Sequence, residues 1–365
     1  MKVYVNGRFL TQPLSGVQRY AREITDALDR SLPPGREVTV LVPHPVTFPD
    51  WKHLSARVVP GGVGHLWEQT TLYQASRDGI LISLGNAGPV RHPAQVVCLH
   101  DAHLYEMPQA YGIRYRMVHR KLRPLLARRA SALLTVSHTS ATALARYLGL
   151  PGHLFHIVSN SAAHILRLPC DALAPARHGL EAGRYLLSVG NLSPNKNLAR
   201  LCAAHAACDV NVPPLAIAGG FAPGVARARD AGLRARVSLL GRVPDSDLRG
   251  LYEGAAGFVF PSLNEGFGIP ALEAMQLGVP VLAARSGALP EVLGHAALWF
   301  DPKSTSDMVR AITKFAKLDK AARSVMRKNG LARAAHYSWD ESANAVWRIV
   351  QDVAARQTSS LRRAV

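Results

Sequence analysis

The stretch Val259–Val281, VFPSLNEGFGIPALEAMQLGVPV, constrains the fold more than any other part of this chain. It begins inside an apolar run, Gly257-Phe258-Val259-Phe260, with the length and composition of a strand buried on both faces. A loop follows that carries Glu265 and then Gly266-Phe267-Gly268-Ile269. Pro270 sits where a helix accepts proline, in its first turn, because the missing N–H has no partner there anyway. Ala271 to Leu277 reads as helix, Gly278 as its stop, and Pro280-Val281-Leu282 as the next strand. Strand, glycine loop, helix, strand is the unit of an open parallel α/β sheet, whose loops at the carboxyl ends of the strands bind ligands.

The chemistry of that loop follows from its parts. Free N–H groups at a helix start, with the dipole behind them, attract a phosphate or a developing anion. Glycines at 266 and 268 let the backbone approach a ligand closely. Glu265 and Glu273 repel phosphate, so they fit better as acceptors for hydroxyl groups, each able to take hydrogen bonds from a vicinal diol. A ligand with hydroxyls at both ends and phosphate between them is a nucleotide sugar. The plainer reading of Glu273 alone is a first-turn glutamate complementing the dipole.

EGFGIPALEAMQLGVPV resembles the E-x7-E signature of family 4 retaining glycosyltransferases of the GT-B fold. The resemblance extends upstream through YLLSVGNLSPNKNLARL, LAIAGG and VSLLGRVPDSDLRGLYEGAAGFVFPS, and downstream through SGALPEVLGHAALWFDP and YSWDESA. LSGVQRYAREI, LWEQ, CLHDAH and LTVSHTSA carry it more loosely through the first half. It implies an α/β chain with two Rossmann-like domains facing across a cleft. These are an acceptor-binding domain over 1–168, a linker over 169–184 and a nucleotide-sugar domain over 185–340. Residues 341–365 form a helix returning to the first domain and a basic tail.

Length and composition agree with two cores: 365 residues, 48% of them hydrophobic. Met1-Lys2 runs straight into a strand with no apolar leader, and no apolar stretch approaches the roughly 18–20 residues that cross a bilayer. Cys98, Cys170, Cys202 and Cys208 lack metal-ligand spacing and read as reduced thiols of a cytoplasmic protein. The formal charge of +18 is a pull toward polyanions: nucleic acid, an acidic membrane or phosphorylated substrates. Arginine-rich solvated faces explain part of that charge.

Along the chain, Lys2 to Asn6 is a first strand, followed by Ser15-Gly16-Val17 and a helix from about Gln18. A glycine turn there is the place of a phosphate-binding loop, and the resemblance assigns Gly16 to the donor diphosphate or the acceptor. Gln95 to Leu99 is a strand ending at His100-Asp101. A carboxylate can orient an adjacent imidazole, so Asp101 is a candidate to hold the tautomer of His100, which by resemblance contacts the donor sugar. Tyr111 to Ala130 holds Arg114, Arg116, Arg120, Lys121, Arg123, Arg128 and Arg129 without an acid, and Pro124 should break or kink it. Such a run is either a solvated helix, although those usually mix signs, or a surface that docks on anionic headgroups and presents a lipid-linked acceptor.

In the second half, Gly190 to Asn197 is a loop after a strand, and Lys196 is its diphosphate cation. The family usually places arginine right after the glycine, whereas this chain has Asn191. Gly241-Arg242-Val243 fits the loop that holds the nucleobase through backbone groups, and Ala322 to Val353 reads as helix. Arg242 or Arg285 could replace the missing cation. The implied activity is metal-independent retaining transfer of a hexose to a growing, lipid-linked or oligosaccharide acceptor, with no cofactor beyond the nucleotide-sugar donor. Resemblance to bacterial polysaccharide and lipopolysaccharide mannosyltransferases suggests GDP-mannose. Catalytic roles fall to His100 and Glu265, and donor binding to Gly16, Asn191, Lys196, Gly241, Arg242, Val243, Gly266, Phe267, Gly268, Ile269 and Glu273. A hydrolysing nucleotide-sugar epimerase shares the fold. A basic nucleic-acid-binding protein would need aromatics among its charges, and Tyr111 and Tyr115 are thin support, so no nucleic acid is expected. The placement expected is cytoplasmic, with peripheral contact on the inner membrane face.

Overall fold

The computed structural model describes residues 2–33, 35–191, 193–220 and 236–363, without the side chains of 360–363. The chain divides into two compact units, Met1–Asn160 with Ser338–Val365, and Ser161–Tyr337. The sequence places its first boundary at 168–169 and its last at 340–341; contacts place them at 160–161 and 337–338.

The first unit is built on β1 (Val3–Asn6), β2 (Val38–Val42), β3 (Leu54–Val58), β4 (Ile80–Ser83), β5 (Gln95–Cys98), β6 (Ala132–Thr135) and β7 (Phe155–Ile157). All pairings are parallel, in the order β3-β2-β1-β4-β5-β6-β7. The inner strands β1, β4, β5 and β6 are buried at every position, as helices on both faces require, while the edge strand β3 is exposed beyond Leu54. The order reverses between β1 and β4, the place where an open sheet leaves a crevice. Helices Gly16–Ser31 and Trp339–Arg363 pack together on this unit, with Tyr20 and Trp339 rings 6.0 Å apart and Arg30 paired to Asp340 at 2.6 Å.

The second unit uses β8 (Leu186–Val189), β9 (Leu215–Ala218), β10 (Val237–Gly241), β11 (Gly257–Phe260), β12 (Val281–Ala284) and β13 (Ala297–Phe300). Their order is β10-β9-β8-β11-β12-β13, again all parallel. The reversal falls between β8 and β11, so the Gly190–Asn197 and Pro261–Gly268 loops lie at the same switch point.

One helical expectation is corrected. Ile113–Arg129 is one helix that runs through Pro124, without the expected break; the proline removes one backbone donor in its fourth turn. The helical stretch expected over Ala322–Val353 consists of two helices, Lys320–Ala334 and Trp339–Arg363, and the break between them coincides with the chain's return to the first unit.

Candidate functional site

The two switch-point loops of the second unit are tied to each other. Leu263 N–H donates to the Asn195 carbonyl at 2.7 Å. Asn197, in the left-handed region at φ 56°, donates its side-chain amide to the carbonyls of Pro261 at 3.1 Å and Pro302 at 2.8 Å. Lys196 is thereby delivered to the Glu265 loop. Its Nζ lies 2.6 Å from Glu265 Oε1 and 5.1 Å from the centre of the Phe260 ring. The two side chains are 16% and 11% exposed, so the ion pair is mostly shielded from water.

The Glu265 loop is held from behind by the turn after β12. Ala288 N–H donates to the Glu265 carbonyl at 2.9 Å, and Ser286 Oγ donates to the Ser262 carbonyl at 2.6 Å. A β-carbon at Gly287 would stand 2.6 Å from the Glu265 backbone, so only glycine allows that approach. Gly268 precedes the helix Ile269–Gln276 at φ 101°, and a β-carbon there would meet Leu289 at 2.4 Å. Phe267 is buried edge-on against Tyr337, ring centres 5.2 Å apart.

Glu273 stands differently from its sequence reading. The helix begins at Ile269, so Glu273 is its fifth residue and not a first-turn acid. Dipole complementation fades within the first turn, which removes the plainer explanation for a carboxylate only 7% exposed. Its partners are side chains: His164 Nε2 donates to Oε1 at 2.8 Å and the Tyr252 hydroxyl donates to Oε2 at 2.9 Å. Burial, and then the Glu273 charge, push the Tyr252 hydroxyl well above its ordinary pKa and keep it a donor.

The remaining donor-side candidates lie around this cluster. Asn191 is exposed and accepts the Ser193 hydroxyl at 2.7 Å. Gly241 closes β10 at φ 71°, its carbonyl taking Gly219 N–H at 2.7 Å, with Arg242 exposed and Val243 half-buried beyond it. Arg285 lies over the Trp299 ring at 5.3 Å and lines a cavity with Trp299, Pro290 and His295. Asp247, of the single Asp-x-Asp in the sequence, takes Arg177 at 2.8 Å and His178 at 3.0 Å.

In the first unit His100 is buried. Its backbone N–H donates to Asn86 Oδ1, and its Nε2–H donates to the Leu84 carbonyl, both at 2.8 Å. Burial lowers its pKa, so the ring is neutral. The expected role of Asp101 is corrected: the Leu84 carbonyl fixes the tautomer, while Asp101 accepts from the His103 backbone at 3.0 Å. Gly16 is exposed as the first residue of its helix. In the basic helix, Arg114, Arg120 and Lys121 are exposed and Arg116 is half-buried, among exposed Ile113, Met117, Val118 and Leu125. Arg123 is corrected: it is 1% exposed and donates to the Asp101 carbonyl at 3.1 Å, so it anchors the helix and is no surface charge.

Sequence reasoning missed His164, Tyr252 and Glu68. Glu68 is 1% exposed at the carboxyl end of β1 and takes Asn6 at 3.0 Å, Arg8 at 3.1 Å and His65 at 2.7 Å. Tyr252 lies within a quoted motif, and asking which donor a buried glutamate needs would have found it. Nothing local marks His164, which is 109 positions from Glu273.

The profile described as "Glycosyl transferases group 1" matches residues 174–333. The O-antigen chain mannosyltransferase B of Escherichia coli is 33% identical over 69% of this chain and 68% of its own length. The serotype-specific mannosyltransferase WbdA of Escherichia coli is 30% identical over 59% of this chain but only 28% of that longer protein. A sucrose-phosphate synthase from Thermosynechococcus elongatus superposes with TM-score 0.75 at 19% identity, covering 97% of this chain and 99% of its own. That likeness shows the fold, two parallel-sheet Rossmann-like units of the GT-B class.

Proposed function

We propose that this chain, which belongs to the group 1 glycosyl transferases, transfers mannose from GDP-mannose to a growing surface glycan. The observation that carries the reading is the pairing of Lys196 with Glu265 across the two loops at the switch point between β8 and β11, with Glu273 on the helix that follows the second loop. The mannosyl specificity and the glycan acceptor are supported by the names of the Escherichia coli relatives.

In this reading Glu273 takes the ribose hydroxyls, Glu265 the sugar hydroxyls, and Lys196 with the amides of the Gly268–Ile269 helix start takes the diphosphate. Lys196 then leaves Glu265 for a ligand with more negative charge. Two unit charges about 4 Å apart at an effective dielectric near 20 attract by about 4 kcal/mol. The same groups stabilise the leaving diphosphate as the glycosidic bond breaks, an electrostatic contribution that is often the largest in catalysis. Transfer is retaining, with same-face attack assisted by the leaving phosphate. No metal or cofactor takes part, since Lys196 and the helix start supply the positive charge.

The acceptor is lipid-linked, and the exposed Arg114, Arg120 and Lys121, interspersed with Ile113, Met117 and Val118, rest on anionic headgroups at the cytoplasmic membrane face. Among the described residues no helix is long and apolar enough to cross a membrane.

The test is transfer of labelled mannose from GDP-mannose to a membrane-lipid extract in EDTA. Labelled lipid-linked product with α-linked mannose supports the reading. Release of free sugar alone would favour a hydrolase of the same fold, and restoration of turnover only by manganese would overturn metal independence.

A further inference from the structure

The donor reading assigns Glu273 to the ribose but leaves open what holds a buried carboxylate ready for it. The carboxylate is gripped on both oxygens, and from two separate elements. His164 comes from the short 3-10 turn Ala163–Arg167, and Tyr252 from the last turn of the helix Asp245–Glu253. Both are buried, His164 to 1% and Tyr252 to 0% exposure, so neither trades its bond for water. A carboxylate only accepts, so Nε2 and the phenol oxygen must each supply the proton. The Tyr252 hydroxyl also lies 3.3 Å from the Pro270 carbonyl, but it has one hydrogen, and the charged acceptor at 2.9 Å is the stronger partner.

The 3-10 turn is itself fixed. Ser161 Oγ accepts Ala163 N–H at 3.2 Å and donates to the Tyr337 carbonyl at 2.7 Å. Tyr337 packs on Phe267 of the glycine loop and donates its hydroxyl to the Val292 carbonyl at 3.1 Å. A chain of contacts therefore runs from the glycine loop through the Tyr337 ring and Ser161 to the turn that carries His164 and on to Glu273, all within the second unit.

We infer that His164 and Tyr252 are positioning residues that fix the plane of the Glu273 carboxylate, and thereby set the preference of the site for a ribose diol. A glutamate that must be ordered by its ligand charges that entropy to binding. Here two donors have already ordered it. The inference rests on the assignment of Glu273 to the ribose.

The test measures affinity by calorimetry for GDP and UDP, each against its 2′,3′-dideoxy counterpart. The proteins are wild type, Tyr252→Phe, His164→Ala and His164→Gln, and turnover is split into kcat and KM. Wild type should prefer the ribonucleotide. Tyr252→Phe and His164→Ala should weaken ribonucleotide binding by about tenfold while leaving the dideoxy forms unchanged, the scale of one lost charged hydrogen bond. KM should rise and kcat hold. His164→Gln, whose amide can replace the Nε2 donor, should recover part of the preference and retain the wild-type melting temperature. If wild type binds ribo and dideoxy forms alike, or binds neither base, the ribose assignment falls and the inference with it. If wild type discriminates and His164→Ala and Tyr252→Phe keep the same ratio, the ribose assignment stands and the positioning role is wrong.

Discussion

At the carboxyl end of the second sheet the charged groups are partnered with each other and face a loop: Lys196 with Glu265, and Glu273 with a histidine and a tyrosine. At the carboxyl end of the first sheet Glu68 also has side-chain partners, Asn6, Arg8 and His65, but two other groups are partnered with backbone and sunk into the unit. His100 is spent on the Leu84 carbonyl and Arg123 on the Asp101 carbonyl. The same topology thus ends in two kinds of polar layer. An ion pair between opposed side chains can be exchanged for a charged ligand with little change in backbone, whereas a backbone-anchored group is a support whose removal leaves a buried acceptor unpaired. At Lys196 charge at a strand end is therefore a functional hint because its partner can be displaced.

The largest effect that would break this contrast is at Lys196. Lys196→Ala should lower turnover about 100-fold, the scale seen when one preorganised charge-stabilising donor is removed, with some fall in melting temperature because Glu265 loses its partner. Arg242→Ala and Arg285→Ala should each lower it less, and Asn191→Arg should tighten nucleotide binding. Turnover and nucleotide affinity for the four variants decide whether the missing arginine is replaced. Silence of both arginines together with an unimproved Asn191→Arg would leave Lys196 and backbone amides as the whole diphosphate site.

Next comes Arg123. Arg123→Ala should cost the first unit about 1–3 kcal/mol, the price of an unsatisfied buried partner, read as a lower denaturation midpoint. Charge reversal at Arg114, Arg120 and Lys121 should leave that midpoint alone and reduce sedimentation with anionic vesicles, by about 1 kcal/mol per charge. Equal sedimentation of mutant and wild type would reduce the basic face to a solvated one.

A further effect concerns acid. His119 lies buried with its Nε2 3.1 Å from His65 Nε2. Burial, then the charges of Arg123, His65 and Arg8, bring its pKa down to about 3. An unfolded histidine takes its proton near pH 6.5. The stability that neutral His119 contributes is therefore complete above about pH 6.5 and drains as pH falls toward 3. His92 and His100 are shifted in the same direction by burial. Hydrogen-exchange protection of the helix Ile113–Arg129 should fall between about pH 7 and pH 5, and less steeply in His119→Gln. Protection that is flat with pH would contradict the neutral buried imidazole.

The second unit's loop was legible because its chemistry is local. Glycines, proline and acids within Glu265–Glu273 fix a strand-loop-helix. The partners of Glu273 were not, because His164 and Tyr252 reach it from other elements and no spacing encodes that meeting. The error at Glu273 was one of boundary: starting the helix at Ile269 moves it into the second turn. In the basic helix the charge count was right but could not separate Arg123, which turns inward, from Arg120 and Lys121 on the open face.

The central claim is that a nucleoside diphosphate binds in the second unit through Lys196 and Glu273. Its most direct measurement is calorimetric titration of GDP into wild type, Glu273→Gln and Lys196→Ala, with thermal melts alongside. Wild type should bind and gain stability, by about 2.7 kcal/mol at 100 times the dissociation constant. Glu273→Gln should fold normally and bind more weakly, with most of the loss missing when the dideoxy nucleotide is used. GDP affinity unchanged in both variants would contradict the account.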